Sequence, residues 1–377
     1  MTKKALVLFV IFCFLNKAQA QIRDFKTKFE LPVEVSETSG LLFLNGKIIT
    51  HNDSGDSAKL YELDSLTGNL LRTVNISNAT NIDWEDITAD ETHIYIGDFG
   101  NNNGNRTDLK IIRITKADYL NNNTVTADFI TFSYEDQTDF SIRPNQHNFD
   151  AEALVVINNS LFIFTKNWAD FKTNLYKIPK TIGNYTAEKI STGNTEGLIT
   201  GAYANNEAYL LCGYDSTATP FLIYIQRSGI FSEDIFSAGF NKTTLNSNEL
   251  EQFSQVEAIT GFDNGKFYIS REKVDHNGIN LSQKLYEFKD DRLKTLKTIE
   301  QQFNTLKIFP NPADRVINAP NLEEILEFSV YNILGKKVMQ KKIVNSQIDI
   351  SHLSKGTYLI RFYFKDTSTI IKKFIKL

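Results

Sequence analysis

An all-β fold is predicted by a five-residue pattern, polar-x-Glu-x-aliphatic, that recurs along most of this 377-residue chain. Four copies keep the central glutamate, and a fifth has Ser39 in its place. The copies are Glu37–Leu41, Asp83–Ile87, Asp150–Leu154, Asn194–Leu198 and Gln255–Ile259. Residues two apart on a strand share a face, so the first and third residues of each copy are expected to point the same way.

Short apolar segments after each copy predict further strands of the same sheet. After the first copy these are Lys47–Thr50 and Leu60–Leu63, separated by a polar turn. The copies begin at residues 37, 83, 150, 194 and 255, and four-stranded units at such intervals are typical of β-propeller blades. We therefore predict a five-bladed β-propeller, whose last blade is completed by the N-terminal strand Asp24–Val35. The long stretches Asp128–Asn148 and Gly229–Ser254 leave a sixth blade open.

The C-terminal segment predicts a second, smaller β domain. Phe328–Ile333 and Val338–Val344 alternate polar and apolar residues around the turn Leu334–Lys337. Gly356–Phe364 and Ile370–Ile375 supply two more strands. This arrangement predicts a small Ig-like β-sandwich.

Five motifs in this segment resemble the type A sorting domain of the type IX secretion system. They are Lys307–Pro312, Val330–Lys336, Ile348–Ser351, Lys355–Tyr358 and Lys372–Lys376. The resemblance implies that the chain is a cargo of that system and that the type IX secretion machinery binds its C-terminal domain. An ordinary adhesive sandwich module is the alternative interpretation.

The N-terminus predicts a signal peptide over residues 1–20. Lys3 and Lys4 precede an apolar run, Ala5–Leu15, and Ala18–Ala20 fits a cleavage site. The run is shorter than the roughly twenty residues that span a membrane, so no transmembrane anchor is expected. The predicted domains are this peptide, a propeller over 21–303 and a sorting domain over 304–377. The predicted location is the medium or the outer cell surface, reached through the periplasm.

Charge is distributed unevenly between the two predicted folded domains. Residues 21–303 contain 26 basic and 39 acidic side chains, whereas residues 304–377 contain 12 and 6. An acidic cargo is unsuited to nucleic acid or anionic membranes. Cations and neutral glycans are better candidates for its ligands.

Carboxylates in the repeated pattern predict a metal site. If each copy starts an innermost strand, these side chains converge at one end of the central channel, where they repel one another unless a cation offsets their charge. Calcium is the expected cofactor, because it takes six to eight oxygen ligands. The predicted ligands are Asp83, Glu85, Asp150, Glu152, Glu196 and Glu257. Alternatively, the glutamates accept backbone hydrogen bonds from the adjoining blade or pair with Lys166 and Arg271.

Polar loops after the second strands are expected at the same end, and they predict a ligand-binding surface. Its candidate residues are Asp53, Asp98, Asn101, Arg106, Lys166, Trp168 and Arg271. Aromatic and arginine side chains beside carboxylates suit a glycan, a peptide or a protein. The alternative is that Asp, Asn and Gly here serve only to form turns.

The function predicted from these features is an exported β-propeller that binds an extracellular ligand or partner. The strand pattern is also weakly similar to that of esterase-like phytase propellers, so a calcium-dependent, phosphoesterase-like hydrolase is the alternative, and a scaffold without a small ligand is a third. Gly-x-Ser-x-Gly and His-Glu-x-x-His are absent from the sequence. The sequence therefore does not identify the catalytic residues of such a hydrolase, and whether the chain is an enzyme stays open.

Overall fold

The computed structural model describes residues 22–227, 233–237, 239–245, 249–251, 253–263, 265–276, 278–293, 308–319, 325–342, 347–364 and 369–377. The predicted signal peptide and the predicted boundary at 303/304 lie outside these ranges. Two compact units divide the chain between Arg292 and Leu293. Within the described ranges, no helix has the length and apolar character needed to cross a membrane.

The larger unit consists almost entirely of strands. They are β1 (Ile22–Glu30), β2 (Thr38–Leu44), β3 (Lys47–Asn52), β4 (Lys59–Asp64), β5 (Leu70–Ile76), β6 (Trp84–Ala89), β7 (His93–Asp98), β8 (Lys110–Thr115), β9 (Thr124–Val125), β10 (Asp128–Tyr134), β11 (Ala151–Ile157), β12 (Ser160–Thr165), β13 (Thr173–Pro179), β14 (Gly183–Gly193), β15 (Leu198–Ala204), β16 (Ala208–Tyr214), β17 (Pro220–Gln226), β18 (Asn241–Thr244), β19 (Val256–Asp263), β20 (Lys266–Arg271), β21 (Val274–His276), β22 (Ile279–Leu281) and β23 (Lys284–Asp290). The larger unit also contains a short helix, α1 (Lys116–Asn121), and a 3-10 turn, Val33–Val35, and a second 3-10 turn, Asp291–Leu293, includes the boundary between the two units.

These strands form five successive groups, each an antiparallel meander that begins with one copy of the repeated pattern. The first strands of the groups, β2, β6, β11, β15 and β19, contact one another in that order, and β19 contacts β2 again. They therefore form a closed circuit. The N-terminal strand β1 pairs antiparallel with β23 along its length, so the beginning of the unit supplies the outer strand of its last group.

Apolar side chains fill the space between neighbouring groups. Ile49 and Leu60 of the first group pack with Ile96 and Ile112 of the second. The first and last groups are joined in the same way, because Leu41 packs in one core with Tyr268 and Leu285. Because both faces of these strands are covered, their sequences are nearly continuous apolar runs. Burial of these side chains is the main contribution to the stability of the fold.

The outer edges of the second and third groups are joined directly. The first half of β14 pairs in parallel with β10, and its second half pairs antiparallel with β13. The two groups thereby become one eight-stranded sheet. This pairing covers two edges that would otherwise expose backbone donors and acceptors.

Asp86 ties three of the first strands together from within the circuit. Its carboxylate is fully buried. Oδ1 accepts a hydrogen bond from the backbone N–H of Ile87 (2.8 Å), and Oδ2 accepts from those of Leu154 (2.8 Å) and Ala202 (3.3 Å). The donors belong to β6, β11 and β15, so one side chain bridges three groups.

The smaller unit contains two sheets around one apolar core. Its strands are β24 (Val316–Asn318), β25 (Ile325–Asn332), β26 (Lys337–Lys342), β27 (Gln347–Asp349), β28 (Gly356–Phe364) and β29 (Thr369–Lys376). The sheet orders are β26-β25-β28-β29 and β24-β27. Ile317, Val330, Ile360 and Phe374 are among the buried side chains that the two sheets share. The predicted turn after β25 contains Gly335, whose φ of 76° favours glycine.

Replacing Asp86 with alanine is expected to lower the free energy of unfolding by about 3 kcal/mol, because backbone donors from three strands lose their acceptor in a buried place. Chemical denaturation at constant pH measures this change. The matched control is Asp128→Ala, which removes a surface ion pair with Arg113 (2.7 Å) and should cost less than about 1 kcal/mol. Equal effects of the two substitutions would contradict the assignment.

Candidate functional site

Every first strand has a β-bulge at the same place in its pairing with the second strand. One residue in each is skipped between two paired residues. The skipped residues, called here the bulge ring, are Ser39, Glu85, Glu152, Thr200 and Glu257. A bulge leaves one residue unpaired and re-aims its side chain, which explains how a charged residue can occupy a strand that is otherwise apolar.

A second ring comes from the ends of the second strands. In each group, the last pair before the bulge joins a residue of the first strand to a residue near the end of the second strand, as Thr38 pairs with Asn52. The residue that follows this partner in the sequence, Asp53 in the first group, lies at the same end of the circuit. These residues, called here the strand-end ring, are Asp53, Phe99, Lys166, Tyr214 and Glu272. Phe99 is fully buried in the apolar core, and the other four are polar.

Glu196, a predicted metal ligand, does not belong to the bulge ring. It precedes β15, is exposed and has a φ of 50°. The bulge residue of this group is Thr200, four places further along the chain. Thr200 Oγ1 donates to the carbonyl of Val256 (2.6 Å), as Ser39 Oγ does to that of Glu85 (2.7 Å). Two ring positions therefore hold hydroxyls that bind the next strand, and three hold glutamates.

Asp53, Asp83 and Glu85 form a group of carboxylates whose ligand atoms all lie within 4.8 Å of one another. We call this group the carboxylate triad. Glu85 is 3% exposed, and Oδ1 of Asp53 is buried without a hydrogen-bond partner among the described residues. The backbone of Gly100 closes one side, since a Cβ at this position would overlap the carboxylates of Glu85 and Asp83. The triad thus offers at least one buried oxygen with no protein donor.

Burial and mutual repulsion disfavour the charged form of these three groups. Burial raises the pKa of Glu85 well above its ordinary range, and the charges of Asp53 and Glu152 raise it further. Burial also raises the pKa values of Asp53 and Asp83, with Asp83 and Asp150 as the respective neighbouring charges. A bound cation would reverse this by stabilising the ionised form. Hard carboxylate oxygens are the ligands that calcium prefers.

Lys166 lies beside Glu152, another glutamate of the bulge ring. Its Nζ lies 3.1 Å from Oε1 of Glu152, and the centroids of the Trp168 and Tyr214 rings lie 5.0 and 5.6 Å away. Asp150, a predicted metal ligand, accepts hydrogen bonds at both oxygens, from the Asn101 N–H (2.5 Å) and from Trp168 Nε1 (2.8 Å). This part of the cluster is therefore compensated by groups of the protein itself.

Two further carboxyl groups beside Lys166 ionise near neutral pH. Burial raises the pKa of Glu257 to about 8 and that of Glu272 to about 7, while the Lys166 charge opposes both shifts. Glu272 was not among the predicted site residues. Its position, directly after the second strand, matches that of Asp53 in the first group, which is the signal that could have identified it.

The loop after β7 is held by internal contacts. Asp98 is fully buried and pairs with Arg106 (2.9 Å) and Lys110 (2.8 Å). Arg106 also donates to the carbonyl of Gly100 (2.8 Å), and Asn101 Oδ1 accepts from the Arg106 N–H (2.9 Å). The internal contacts of Asp98, Asn101 and Arg106, three of the predicted ligand-binding residues, hold Gly100 against the triad.

Arg271 is also engaged within the protein. It is fully buried, pairs with Glu251 and donates to the carbonyl of Ser282 through Nε (3.2 Å) and Nη2 (2.6 Å). The alternative prediction, in which Lys166 and Arg271 both neutralise glutamates of the ring, therefore holds for Lys166 and fails for Arg271. Two of the seven predicted ligand-binding residues have a buried side-chain oxygen without a hydrogen-bond partner in the described structure, Asp53 (Oδ1) and Asp98 (Oδ2). Oδ2 of Asp98 nevertheless lies 2.8 Å from the Lys110 ammonium.

The C-terminal strands and their motifs match a known family. Residues 307–377 match the model of the secretion system C-terminal sorting domain. The chain ends in a sorting domain. This confirms the predicted type IX secretion tail and indicates export to the cell surface or the medium.

Comparison with individual proteins adds little about the larger unit. Beta-agarase D of Zobellia galactanivorans is 29% identical over 75 residues, which cover 20% of this chain and 16% of that protein. PorZ, a surface component of the type IX secretion system of Porphyromonas gingivalis, superposes with a TM-score of 0.33 and 10% identity over 90% of this chain and 45% of PorZ. A beta-fructofuranosidase of Bombyx mori superposes with a TM-score of 0.37 and 9% sequence identity, over 93% of this chain and 89% of the fructofuranosidase. At these scores the superpositions do not inform the function.

The raised pKa values predict that the metal-free protein becomes less stable as pH rises. Glu257 and Glu272 hold protons in the folded state at pH values where the unfolded chain has released them. The free energy of unfolding should therefore fall between about pH 5 and 8, by up to about 1.4 kcal/mol per pH unit for each group. Thermal denaturation in a chelating buffer measures this. Glu257→Gln should flatten the fall and the exposed control Glu91→Gln should not, while a stability that rises over this interval would refute the prediction.

Proposed function

We propose that this chain is an exported five-bladed β-propeller that binds a divalent cation at the carboxylate triad, and that this cation is calcium. Support for five blades comes from the closed circuit of five first strands and from the pairing of β1 with β23. The proposed domains are a signal peptide (1–20), the propeller (21–303) and the sorting domain (304–377). The proposed route is through the periplasm to the cell surface or the medium.

The observation that carries the cation proposal is the buried, unpartnered Oδ1 of Asp53 beside Asp83 and Glu85. Leaving a buried acceptor without a donor is costly, and bringing three carboxylates together adds repulsion. Calcium would offset both costs. The proposed calcium ligands are therefore Asp53, Asp83 and Glu85. Of the other ligands predicted from the sequence, Glu152 pairs with Lys166, Asp150 accepts a hydrogen bond from Trp168, and Glu257 lies close to the Lys166 charge.

A cation at the triad leaves room for an external ligand. Calcium takes six to eight oxygens, so three carboxylates leave several positions for water or for oxygen atoms of another molecule. Glycan hydroxyls or the carboxylate of a peptide would suit these positions. We therefore favour a binding module, in which the cation joins the propeller to an extracellular ligand.

A calcium-dependent hydrolase is the second candidate, and one specific observation favours it. Glu257 and Glu272 have pKa values of about 8 and 7, close to the value that suits a general acid or base at neutral pH. A cation close by could polarise a phosphate ester and activate a water. Screening phosphate monoesters and diesters with calcium, using Glu257→Gln and Glu272→Gln as controls, separates this function from binding alone.

Calcium is expected to raise the melting temperature, and to do so more at pH 8 than at pH 5.5, where protons compete for the carboxylates. A hundredfold excess over the dissociation constant stabilises the fold by about 2.7 kcal/mol. Asp53→Asn should abolish most of this response. Asp215→Asn, in a loop at the same end where the carboxylate caps the Thr217 and Thr219 N–H groups, should preserve it. A melting curve insensitive to calcium in the wild type would exclude the cation.

Deleting residues 307–377 should stop export and leave the propeller in the periplasm, because the sorting domain is removed and the larger unit keeps its own core. Cell fractionation and proteolysis of intact cells measure the surface fraction. As a control, residues 304–377 fused to a periplasmic reporter should carry the reporter outward. Surface display of the truncated chain at the wild-type level would contradict this assignment.

A further inference from the structure

We propose that Lys166 is a built-in counter-cation, which neutralises one part of the acidic cluster and thereby limits the propeller to a single divalent cation. This inference rests on the proposed function, because it specifies how many ions the site takes. It concerns a residue that contacts no cation itself. Its role is to exclude a second ion from the glutamates around it.

Lys166 lies where a second cation would lie. It is 7% exposed, with Nζ in contact with Glu152 at 3.1 Å. The rings of Trp168 and Tyr214 flank the ammonium at 5.0 and 5.6 Å, distances at which an aromatic face stabilises a cation. Carboxylate and aromatic groups thus surround a positive charge that the chain itself supplies.

The symmetry of the two rings makes this position unusual. Lys166 belongs to the strand-end ring, where the corresponding residues of the first and last groups are the acids Asp53 and Glu272. In the first group the acid at this position joins the triad. In the third group this position holds a lysine, so its positive charge neutralises the neighbouring Glu152 and does not add to the repulsion among the carboxylates.

Three carboxylate oxygens on this side have partners within the protein, both oxygens of Asp150 and Oε1 of Glu152. At the triad, in contrast, Oδ1 of Asp53 has no donor among the described residues. A tethered ammonium also competes with a free ion without loss of translational freedom. The geometry therefore favours one ion at the triad and none beside Glu152.

Lys166→Met tests this inference, because methionine keeps an unbranched chain of similar length and removes the charge. Glu152 then lies close to Glu257 without a counter-charge, and a second ion can bind. Native mass spectrometry and calorimetry with calcium at pH 8 should give one ion for the wild type and two for Lys166→Met. The control Lys180→Met, which removes the lysine that pairs with Asp90 (2.9 Å) outside the acidic cluster, should bind one. Circular dichroism verifies that each variant is folded, and Lys166→Gln is a second variant should the first unfold.

Terbium luminescence gives an independent count. The chain has two tryptophans. Trp84 lies between Asp83 and Glu85 in sequence, and Trp168 lies beside Lys166, so each can sensitise an ion close to it. Titration of the wild type should saturate at one terbium, and Lys166→Met should add a second step that Trp168→Phe weakens.

The outcomes separate the two proposals. One ion in a folded Lys166→Met protein overturns the inference and leaves the triad proposal intact. A wild type that binds none overturns the proposed function and, with it, the inference that Lys166 limits the propeller to one ion. Two ions in the wild type overturn the inference alone.

Discussion

The bulge that each first strand carries at one register position determines where the charged groups of this protein meet. Five strands form a closed circuit, so any residue placed at the bulge is brought to the same end as its four counterparts. Glutamates occupy three of these positions and are all buried, so several carboxyl groups lie close together out of contact with solvent. Several polar groups around them reduce the resulting electrostatic cost.

The molecule meets this constraint in three ways. Hydroxyls replace glutamate in two groups and bind the backbone of the next strand, as Ser39 and Thr200 do. Lys166 neutralises Glu152. The carboxyl group of Asp86, one residue after a bulge, accepts hydrogen bonds from backbone N–H groups of three strands. At the carboxylate triad, Ser39 Oγ donates to Oε2 of Glu85 (3.3 Å), but Oδ1 of Asp53 has no donor among the described residues. This remaining imbalance is the physical basis for proposing a cation there.

The strand pattern and the C-terminal motifs were readable from sequence, because period-2 alternation and motif order are local properties. The exact register was not. The central glutamates of three pattern copies, Glu85, Glu152 and Glu257, all lie on the bulge ring. Asn194–Leu198 matches the same pattern four residues before the bulge of its strand, and only the pairing with β16 identifies Thr200. Asp86 resembles any polar residue of a strand, since its partners Leu154 and Ala202 are distant in sequence. Likewise, the partner of Arg271 could not be chosen without knowing that Glu251 lies beside it.

The central claim is that the carboxylate triad holds one divalent cation. Anomalous diffraction from crystals of residues 21–303 soaked in manganese tests it most directly, because the signal locates the ion without assumption about its ligands. The account predicts a single strong peak within about 2.5 Å of carboxylate oxygens of Asp53, Asp83 and Glu85. No peak at the triad, or a peak beside Glu152 with Lys166 displaced, would contradict it.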